Sequence, residues 1–154
     1  MVSMKPVQVQ PIGYVKNELG RRIYNEWRET DSEIIISEQY QDALYRLDEY
    51  SHIEVLFYLH EMNRPFRTRI HPTGNSEYPE MGAFATRTPN RPSKIALTTC
   101  RLVSIDGNVL HVKGLDAFNG SPVLDIKSYS GKIVEDIKVP AWINDLNEKM
   151  RNSS

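Results

Sequence analysis

The segment HIEVLFYLH, from His52 to His60, is the strongest β-strand signal in the chain and the best guide to its fold. Successive side chains of a strand point to opposite sides, so four apolar residues share one face: Ile53, Val55, Phe57 and Leu59. Leu56 and Tyr58 keep the opposite face largely apolar as well. A strand with two apolar faces is predicted to be covered on both, as in the wall of a barrel or at a subunit interface.

Further strand signals lie on both sides of this segment. Apolar runs bounded by turn residues predict strands over 7–15, 33–37, 67–71, 94–105, 109–114 and 123–129. Pro11 places the first of these at an edge or a bulge, because proline has no N–H to donate to a ladder. The sequence Asp106-Gly107-Asn108 predicts a β-hairpin between two of the runs, since these residues tolerate positive φ.

Two short helices are predicted around these strands. The spacing of apolar residues predicts one over 39–47. The second is predicted over roughly 140–151, with Pro140 in its first turn. Its apolar stripe, formed by Trp142, Ile143, Leu146 and Met150, is expected to dock on the barrel or on a second subunit.

These elements together predict a mostly β fold. We expect one antiparallel β-barrel domain over residues 1–154, with a core over roughly 7–130 and the docking helix after it. Strands and helices do not alternate, and no two of the eight glycines are separated by a single residue. The GxGxxG loop of dinucleotide-binding and Rossmann-type methyltransferase domains is therefore absent.

The composition is that of a globular protein from a reducing compartment. The chain has 154 residues, a net charge of −1 and one cysteine, which excludes an intrachain disulfide. Cys100 is predicted to pack inside a strand. No apolar run reaches the roughly 20 residues of a membrane span, and residues 1–10 lack the apolar segment of a signal peptide. We therefore expect a cytoplasmic protein with no membrane partner.

Common metal and hydrolase motifs are missing. The four histidines, His52, His60, His71 and His111, follow no metal-ligand spacing, so no metal site is predicted. The sequence also has no GxSxG nucleophile elbow, and neither a serine nor Cys100 lies in a recognisable triad motif.

The most unusual segment is GAFATRTPNRPSKIAL, residues 82–97. Its prolines pre-set φ and lower the entropy cost of ordering Arg87 and Arg91, whose guanidinium groups suit a carboxylate or a phosphate. The alternative is a structural crossover whose arginines hydrogen-bond backbone carbonyls. Residues 64–101 carry seven basic and two acidic side chains, a net +5 that leaves −6 for the rest of the chain. Such a local excess favours a polyanion, although solvated loop charges explain it equally well.

This segment resembles the signature of the TrmO/TsaA-like tRNA methyltransferases, commonly GVFATRSPxRPNPIGL. Three further blocks match that family in order: PIGYV at 11–15, YSHIEVLFYLH at 50–60 and GNVLHVKGLDAFNGSPVLDIKSY at 107–129. The resemblance implies a homodimeric β-barrel enzyme that binds S-adenosylmethionine without a Rossmann fold. It also implies methylation of N6 of threonylcarbamoyladenosine beside the anticodon of tRNA.

The resemblance implies a set of site residues as well. The cofactor contacts that it implies are His60, Glu61, Arg87, Leu97, Asn119, Gly120, Ser121 and Pro122. Three residues remain unranked candidates for a catalytic base: His60, Glu61 and Asp116. Arg91 and Lys94 are predicted to contact tRNA phosphates, which position a nucleic acid without reading its sequence.

The chain departs from the family pattern at three places. Ser93-Lys94-Ile95-Ala96 replaces Asn-Pro-Ile-Gly, and Asn119 replaces the aspartate of Asp-Gly-Thr-Pro. A family Pro-Arg-Gln triplet has no match, and residues 21–33 stand there instead. Because a fold does not determine function, two alternatives remain. The first is a methyltransferase for another RNA or a small molecule, and the second is a non-catalytic module that binds S-adenosylmethionine or RNA.

Overall fold

The computed structural model describes residues 4–19, 27–131 and 134–152. Its strands are β1 (Gly13–Lys16), β2 (Asp31–Ile36), β3 (His52–Tyr58), β4 (Arg69–Ile70), β5 (Met81–Gly82), β6 (Ile95–Asp106), β7 (Val109–Lys113) and β8 (Pro122–Ser128). A helix, α1 (Ala141–Arg151), follows them. Six strands close a barrel in the order β1-β2-β7-β6-β3-β8, with antiparallel pairing throughout. The predicted fold class is confirmed.

The chain divides into two compact units. The first, Met1–Phe66 with Pro89–Ser130, contains the barrel. The second, Arg67–Thr88 with Gly131–Ser154, contains the β4–β5 pair and α1. The single-domain organisation over 1–154 stays a prediction.

The barrel core is formed by the inward faces of its strands. Its fully buried side chains include Val15, Ile34, Ile53, Val55, Leu110 and Val123. On β3 the predicted alternation holds, because Ile53, Val55 and Phe57 are buried while Leu56 and Tyr58 are half-buried on the outer face. The Cys100 thiol is buried in β6 as predicted, and desolvation raises its pKa to about 12.

The first strand is shorter than predicted. It begins at Gly13 rather than at residue 7, and Val7 is exposed. Prolines at 6 and 11 have no N–H to donate, which interrupts ladder pairing over this stretch. Gly13 itself is required by close approach, because a Cβ there would lie 2.2 Å from the backbone oxygen of Ile35.

The predicted helix over 39–47 is replaced by two 3-10 turns, Glu38–Leu44 and Leu47–Glu49. Arg46, between them, adopts a positive φ of 63°, which no α-helix accommodates. The apolar spacing nevertheless has its expected consequence, since Tyr40, Leu44 and Leu47 pack against the barrel core.

The β6–β7 hairpin confirms the Asp-Gly-Asn signal. Gly107 has a positive φ of 61°, whereas Asn108 does not. The Asn108 side-chain amide donates to the Ile36 carbonyl at 2.6 Å instead, and the Ile36 N–H donates to the Asn108 carbonyl at 2.9 Å. This turn therefore also anchors the end of β2.

In the second unit, α1 packs against the segment between β4 and β5. The Trp142 ring lies 5.9 Å from the ring of Tyr78, centre to centre. The Tyr78 hydroxyl donates to Asp145 at 3.2 Å, and Lys149 pairs with the same carboxylate at 3.0 Å. The predicted stripe thus contacts Tyr78 through Trp142. Within the described ranges, no helix has the length and apolarity needed to cross a membrane.

Candidate functional site

The end of β3 and the start of β8 bring several predicted site residues together. His60 follows β3, and its Nδ1 lies 3.3 Å from the hydroxyl of Ser121, which is 2% exposed. Gly120 has a φ of +81°, and a Cβ at that position would lie 3.8 Å from the His60 Nε2. The imidazole is thus held on one side by Ser121, while Gly120 leaves space beside its second nitrogen.

The turn that carries Gly120 is held by the backbone of β1. The Gly120 N–H donates to the Val15 carbonyl at 2.7 Å, and the Val15 N–H donates to the Ser121 carbonyl at 3.0 Å. Pro122 begins β8 and lies opposite Tyr14 of β1. Because Gly120 and Ser121 are bonded through their main chains, their positions do not depend on flexible side chains.

Asn17 organises this turn and is a residue that was not predicted from the sequence. Its side-chain amide donates to the Ser32 hydroxyl and to the Ala117 carbonyl, both at 2.9 Å. Its N–H donates to the side-chain oxygen of Asn119 at 3.0 Å. The signal was the asparagine directly after a strand, because such residues bond nearby backbone in turns. Two of its partners, however, Ala117 and Asn119, lie 100 and 102 residues away along the chain.

Two carboxylates, Glu61 and Asp116, are candidates for the catalytic base beside His60. The Glu61 carboxylate lies 3.8 Å from the His60 Nε2. Asp116 lies between the buried Leu115 and Ala117, and its side chain still reaches solvent. The surrounding protein raises the pKa of its carboxyl by desolvation. Of these two, the structure brings Glu61 to the imidazole.

Leu97 lies on the outer wall of the barrel. It is paired with Leu56 of β3, four residues before His60, and is 40% exposed. Ile95 is 39% exposed and lies opposite Tyr58. These four residues, Leu56, Tyr58, Ile95 and Leu97, form an apolar outer patch.

The predicted tRNA contacts occupy the loop before β6. The Lys94 carbonyl accepts a bond from the Leu59 N–H at 2.8 Å, and the Lys94 N–H donates to the Arg91 carbonyl at 3.3 Å. Asn90 also anchors this loop, since its side-chain amide donates to the Pro65 carbonyl at 2.9 Å. Both predicted contacts are half-buried, and Lys94 has a positive φ of 51°. The loop is therefore tied to the end of β3.

Arg87 belongs to the second unit, where its side chain is exposed. The Ala83–Ala85 turn precedes it, and the Thr86 hydroxyl donates to the Ala83 carbonyl at 2.9 Å. The Thr88 N–H donates back to that hydroxyl at 3.3 Å. The Thr86 hydroxyl thus bonds the backbone both before and after Arg87, and these bonds hold the segment that carries it.

No triad of His, Cys, Asp and Glu side chains within the described ranges is arranged to hold a metal ion. The absence of a metal therefore stays a prediction. Residues 21–33 stand in place of the family Pro-Arg-Gln triplet, and those up to position 26 lie outside the described residues.

Comparison with known proteins points to one family. The family model for the tRNA-methyltransferase O N-terminal domain matches residues 22–134. A protein of Archaeoglobus fulgidus named S-adenosyl-L-methionine-binding protein is 37% identical over 131 residues, which cover 81% of this chain and 91% of that protein. Human tRNA (adenine(37)-N6)-methyltransferase is 33% identical over 108 residues, 70% of this chain and 24% of that protein.

Solved structures agree with this assignment. A TrmO structure from Pseudomonas aeruginosa superposes with a TM-score of 0.69 at 26% identity, covering 87% of this chain and 61% of that one. A second TrmO structure gives a TM-score of 0.72 at 24% identity and covers 64% of its chain. The chain therefore spans nearly all of the Archaeoglobus protein but less than two thirds of these solved chains.

Proposed function

The chain belongs to the tRNA-methyltransferase O family, and from this premise we propose that it is an S-adenosylmethionine-dependent methyltransferase that acts on tRNA. The archaeal relative's name supports the cofactor, and the mammalian relatives' names support an adenine of tRNA as the target. The observation that carries the proposal is the His60–Ser121 pair beside the Gly120 turn.

The residues at this turn fit the cofactor. A nucleoside needs close approach to backbone groups, and Gly120 provides it where any other residue would place a Cβ beside His60. Ser121 and Pro122 are held by β1, so this surface is formed before a ligand binds. Glu61, Asn119 and the exposed apolar surface of Leu97 add polar and stacking groups on the same unit.

Each residue has a distinct proposed role. S-adenosylmethionine supplies an electrophilic methyl group on a sulfonium. Arg87 pairs with a carboxylate through its guanidinium group. His60 is the base that accepts a proton from the target amine, because Ser121 orients one of its nitrogens and leaves Nε2 toward the Gly120 space. The Glu61 carboxylate lies 3.8 Å from the same nitrogen. Positioning of the amine contributes much of the acceleration.

Within tRNA, the nucleoside that we propose as the methyl acceptor is threonylcarbamoyladenosine beside the anticodon. Names that specify adenine 37 support this position among the relatives. The alternatives are a different RNA or a small molecule as methyl acceptor, and binding of S-adenosylmethionine without catalysis. The name of the archaeal relative specifies binding alone, which favours the second of these.

The protein is also proposed to be a cytoplasmic homodimer. The apolar outer patch supports this, because Ile95 and Leu97 expose apolar side chains on a strand wall. A second copy that covers the patch removes them from water. Light scattering at micromolar concentration tests this, and Ile95→Asp, which changes a patch residue outside the predicted cofactor contacts, is expected to convert the dimer to a monomer.

The decisive experiment is transfer of a labelled methyl group to tRNA. Total tRNA is incubated with the protein and labelled S-adenosylmethionine, then digested to nucleosides and separated. We expect the label in N6-methylated threonylcarbamoyladenosine. His60→Gln is expected to lower the rate about 10²- to 10⁴-fold, as the loss of a general base does, and to leave cofactor binding measurable. His111→Gln is the matched control, since it changes a histidine on β7.

Label in another nucleoside favours the alternative substrates. Saturable cofactor binding without transfer to any RNA leaves the non-catalytic module and the small-molecule acceptor. A protein that binds no cofactor contradicts the proposal as a whole.

Arg91 and Lys94 are proposed to contact tRNA phosphates. Arg91→Gln combined with Lys94→Gln is expected to reduce the salt dependence of tRNA binding by about two phosphate contacts. Cofactor affinity stays unchanged in this variant if the loop contacts only RNA. A variant that loses cofactor and keeps tRNA affinity assigns the loop to the cofactor pocket instead.

A further inference from the structure

A row of basic side chains crosses the outer wall of the barrel away from the His60 cluster. Arg101 of β6 lies in register with His52 of β3 on one side and with Lys113 of β7 on the other. Its neighbours Cys100 and Leu102 are buried, so the alternation of the strand turns Arg101 outward, where it is exposed. Like charges directly opposite each other destabilise a sheet. Arg101 and Lys113 are such a pair, held opposite each other by the pairing of β6 with β7.

The two cations are not equally compensated. Lys113 pairs with Glu29 at 3.0 Å, and the hydrogen bond and charge of Glu29 raise the pKa of Lys113 while Arg101 acts against them. Arg101 has no carboxylate within 4.0 Å among the residues that the structure describes. The nearby acids are Asp31, opposite Lys113, and Glu54, opposite Thr99. Among the described residues, the charge of Arg101 is therefore not compensated by a neighbouring carboxylate.

The cations line a groove that also contains an aromatic ring. The groove has a volume of about 450 Å³, and its walls include Trp27, Arg28, His52, Arg101 and Lys113. This volume lies in the range of small-molecule sites, about 300–1,000 Å³. Trp27 is half-buried, and the Arg28 guanidinium lies 5.3 Å from the centre of its ring. Basic side chains beside an aromatic ring are the usual surface for a single nucleic acid strand, because phosphates pair with the cations and bases stack.

We infer that this groove binds an exposed strand of the RNA substrate, with phosphates on Arg101 and Lys113 and a base against Trp27. The inference rests on the proposed function and extends it, since none of these residues belongs to the cofactor cluster or to the loop before β6. A free phosphate satisfies the same cations, but it leaves Trp27 without a role. RNA therefore accounts for both the groove cations and Trp27, and a phosphate on Lys113 would share that lysine with Glu29, which also lines the groove.

The test compares two charge-removing variants of the full chain. Arg101→Gln with Lys113→Gln removes the groove cations. Lys16→Gln with Lys127→Gln removes the same charge from barrel lysines that are paired with Glu33 and Asp125. Binding of tRNA is measured against salt concentration. The groove variant is expected to lower the slope of log affinity against log salt by roughly 1.4–1.8, the value for two phosphates. The control variant is expected to keep the wild-type slope, and both are expected to keep cofactor affinity.

Trp27 provides a direct readout at the groove. The chain has two tryptophans, so Trp142→Phe leaves Trp27 as the single tryptophan. A base that stacks on Trp27 is expected to quench this fluorescence at saturating tRNA, and the groove variant is expected to abolish the quenching. Trp27→Ala is expected to weaken tRNA binding about 5- to 150-fold. Where Trp142→Phe is poorly folded, Trp27→Phe identifies the Trp27 signal by its loss.

The outcomes separate this inference from the proposed function. Wild-type protein that methylates tRNA, with equal salt slopes in the two double variants, overturns the groove inference alone. Loss of inorganic phosphate binding in the groove variant, with tRNA affinity retained, assigns the groove to a free anion and also overturns it. Wild-type protein that binds no tRNA at all overturns both.

Discussion

Replacing Gly120 by alanine tests the cofactor site through a single methyl group. The residue has a φ of +81°, and the added Cβ would lie 3.8 Å from the His60 Nε2. A non-glycine residue in the left-handed region costs about 1–2 kcal/mol, so stability is expected to fall by that amount. The methyl group also occupies the space proposed for the cofactor. Overpacking of a site costs about 1–3 kcal/mol, which corresponds to roughly a 5- to 150-fold loss of cofactor affinity.

Gly107→Ala is the matched control for this experiment. Gly107 has a φ of +61° in the β6–β7 turn, and its added Cβ would meet only the Gln41 side chain at 4.0 Å. Both variants are expected to lose similar stability in urea titrations, while only Gly120→Ala loses affinity for S-adenosylmethionine in calorimetry. Equal cofactor affinity in the two variants, at equal loss of stability, would refute the assignment of the Gly120 turn to the cofactor.

Three further predictions concern other parts of the molecule. Asn17→Ala leaves the buried hydroxyl of Ser32 without its hydrogen-bond partner. It is expected to lower the free energy of unfolding in urea by about 1–3 kcal/mol and to weaken cofactor binding. A loss of stability no larger than that of Asn144→Ala on α1 would contradict this. The Cys100 thiol, with its pKa raised to about 12 by burial, is expected to resist alkylation at mildly alkaline pH until urea unfolds the barrel, and equal rates in folded and unfolded protein would disprove it. The hydrogen bond from Lys149 lowers the pKa of Asp145, although desolvation acts in the opposite direction. The folded-state pKa therefore lies below the ordinary value of 3.8. The contribution of the ionised Asp145 to stability is complete above that ordinary value and is lost as the pH falls through the folded-state pKa. The measurement uses Trp27→Phe protein, in which Trp142 fluorescence follows the release of α1 during acid titration. Adding Lys149→Gln is expected to move the midpoint of this release to higher pH. An unchanged midpoint would count against the Lys149–Asp145 contact.

The periodicity of the sequence was sufficient for the barrel strands and their class. Alternation over 52–58 predicted the inward face of β3, and the Asp106-Gly107-Asn108 signal predicted the β6–β7 hairpin. These features are local, because side-chain direction and turn conformation depend on adjacent residues. The resemblance through the 82–97 loop then led to the correct family, which the match over 22–134 established.

The strand boundaries and the 39–47 segment were decided by longer-range geometry. Residues 7–12 have strand-like composition, yet β1 starts at Gly13, where its backbone meets Ile35. The apolar spacing around Tyr40 satisfied a helix and a pair of 3-10 turns equally well, since either conformation brings the same side chains to the core.

The sequence by itself determined the class of fold, the buried faces and the family, because each depends on patterns of neighbouring residues. Tertiary structure alone decided which distant residues meet. Ser121 comes to His60, and Asn17 to Ala117, only because closure of the barrel joins β8 to both β1 and β3. The contact of His52 with Arg101 is also long-range, because it depends on the pairing of β3 with β6, whereas Arg101 and Lys113 are joined through the local β6–β7 hairpin. Between strands that are distant in the chain, register depends on how all the apolar faces of the barrel fit together, whereas a tight turn sets it only within a hairpin.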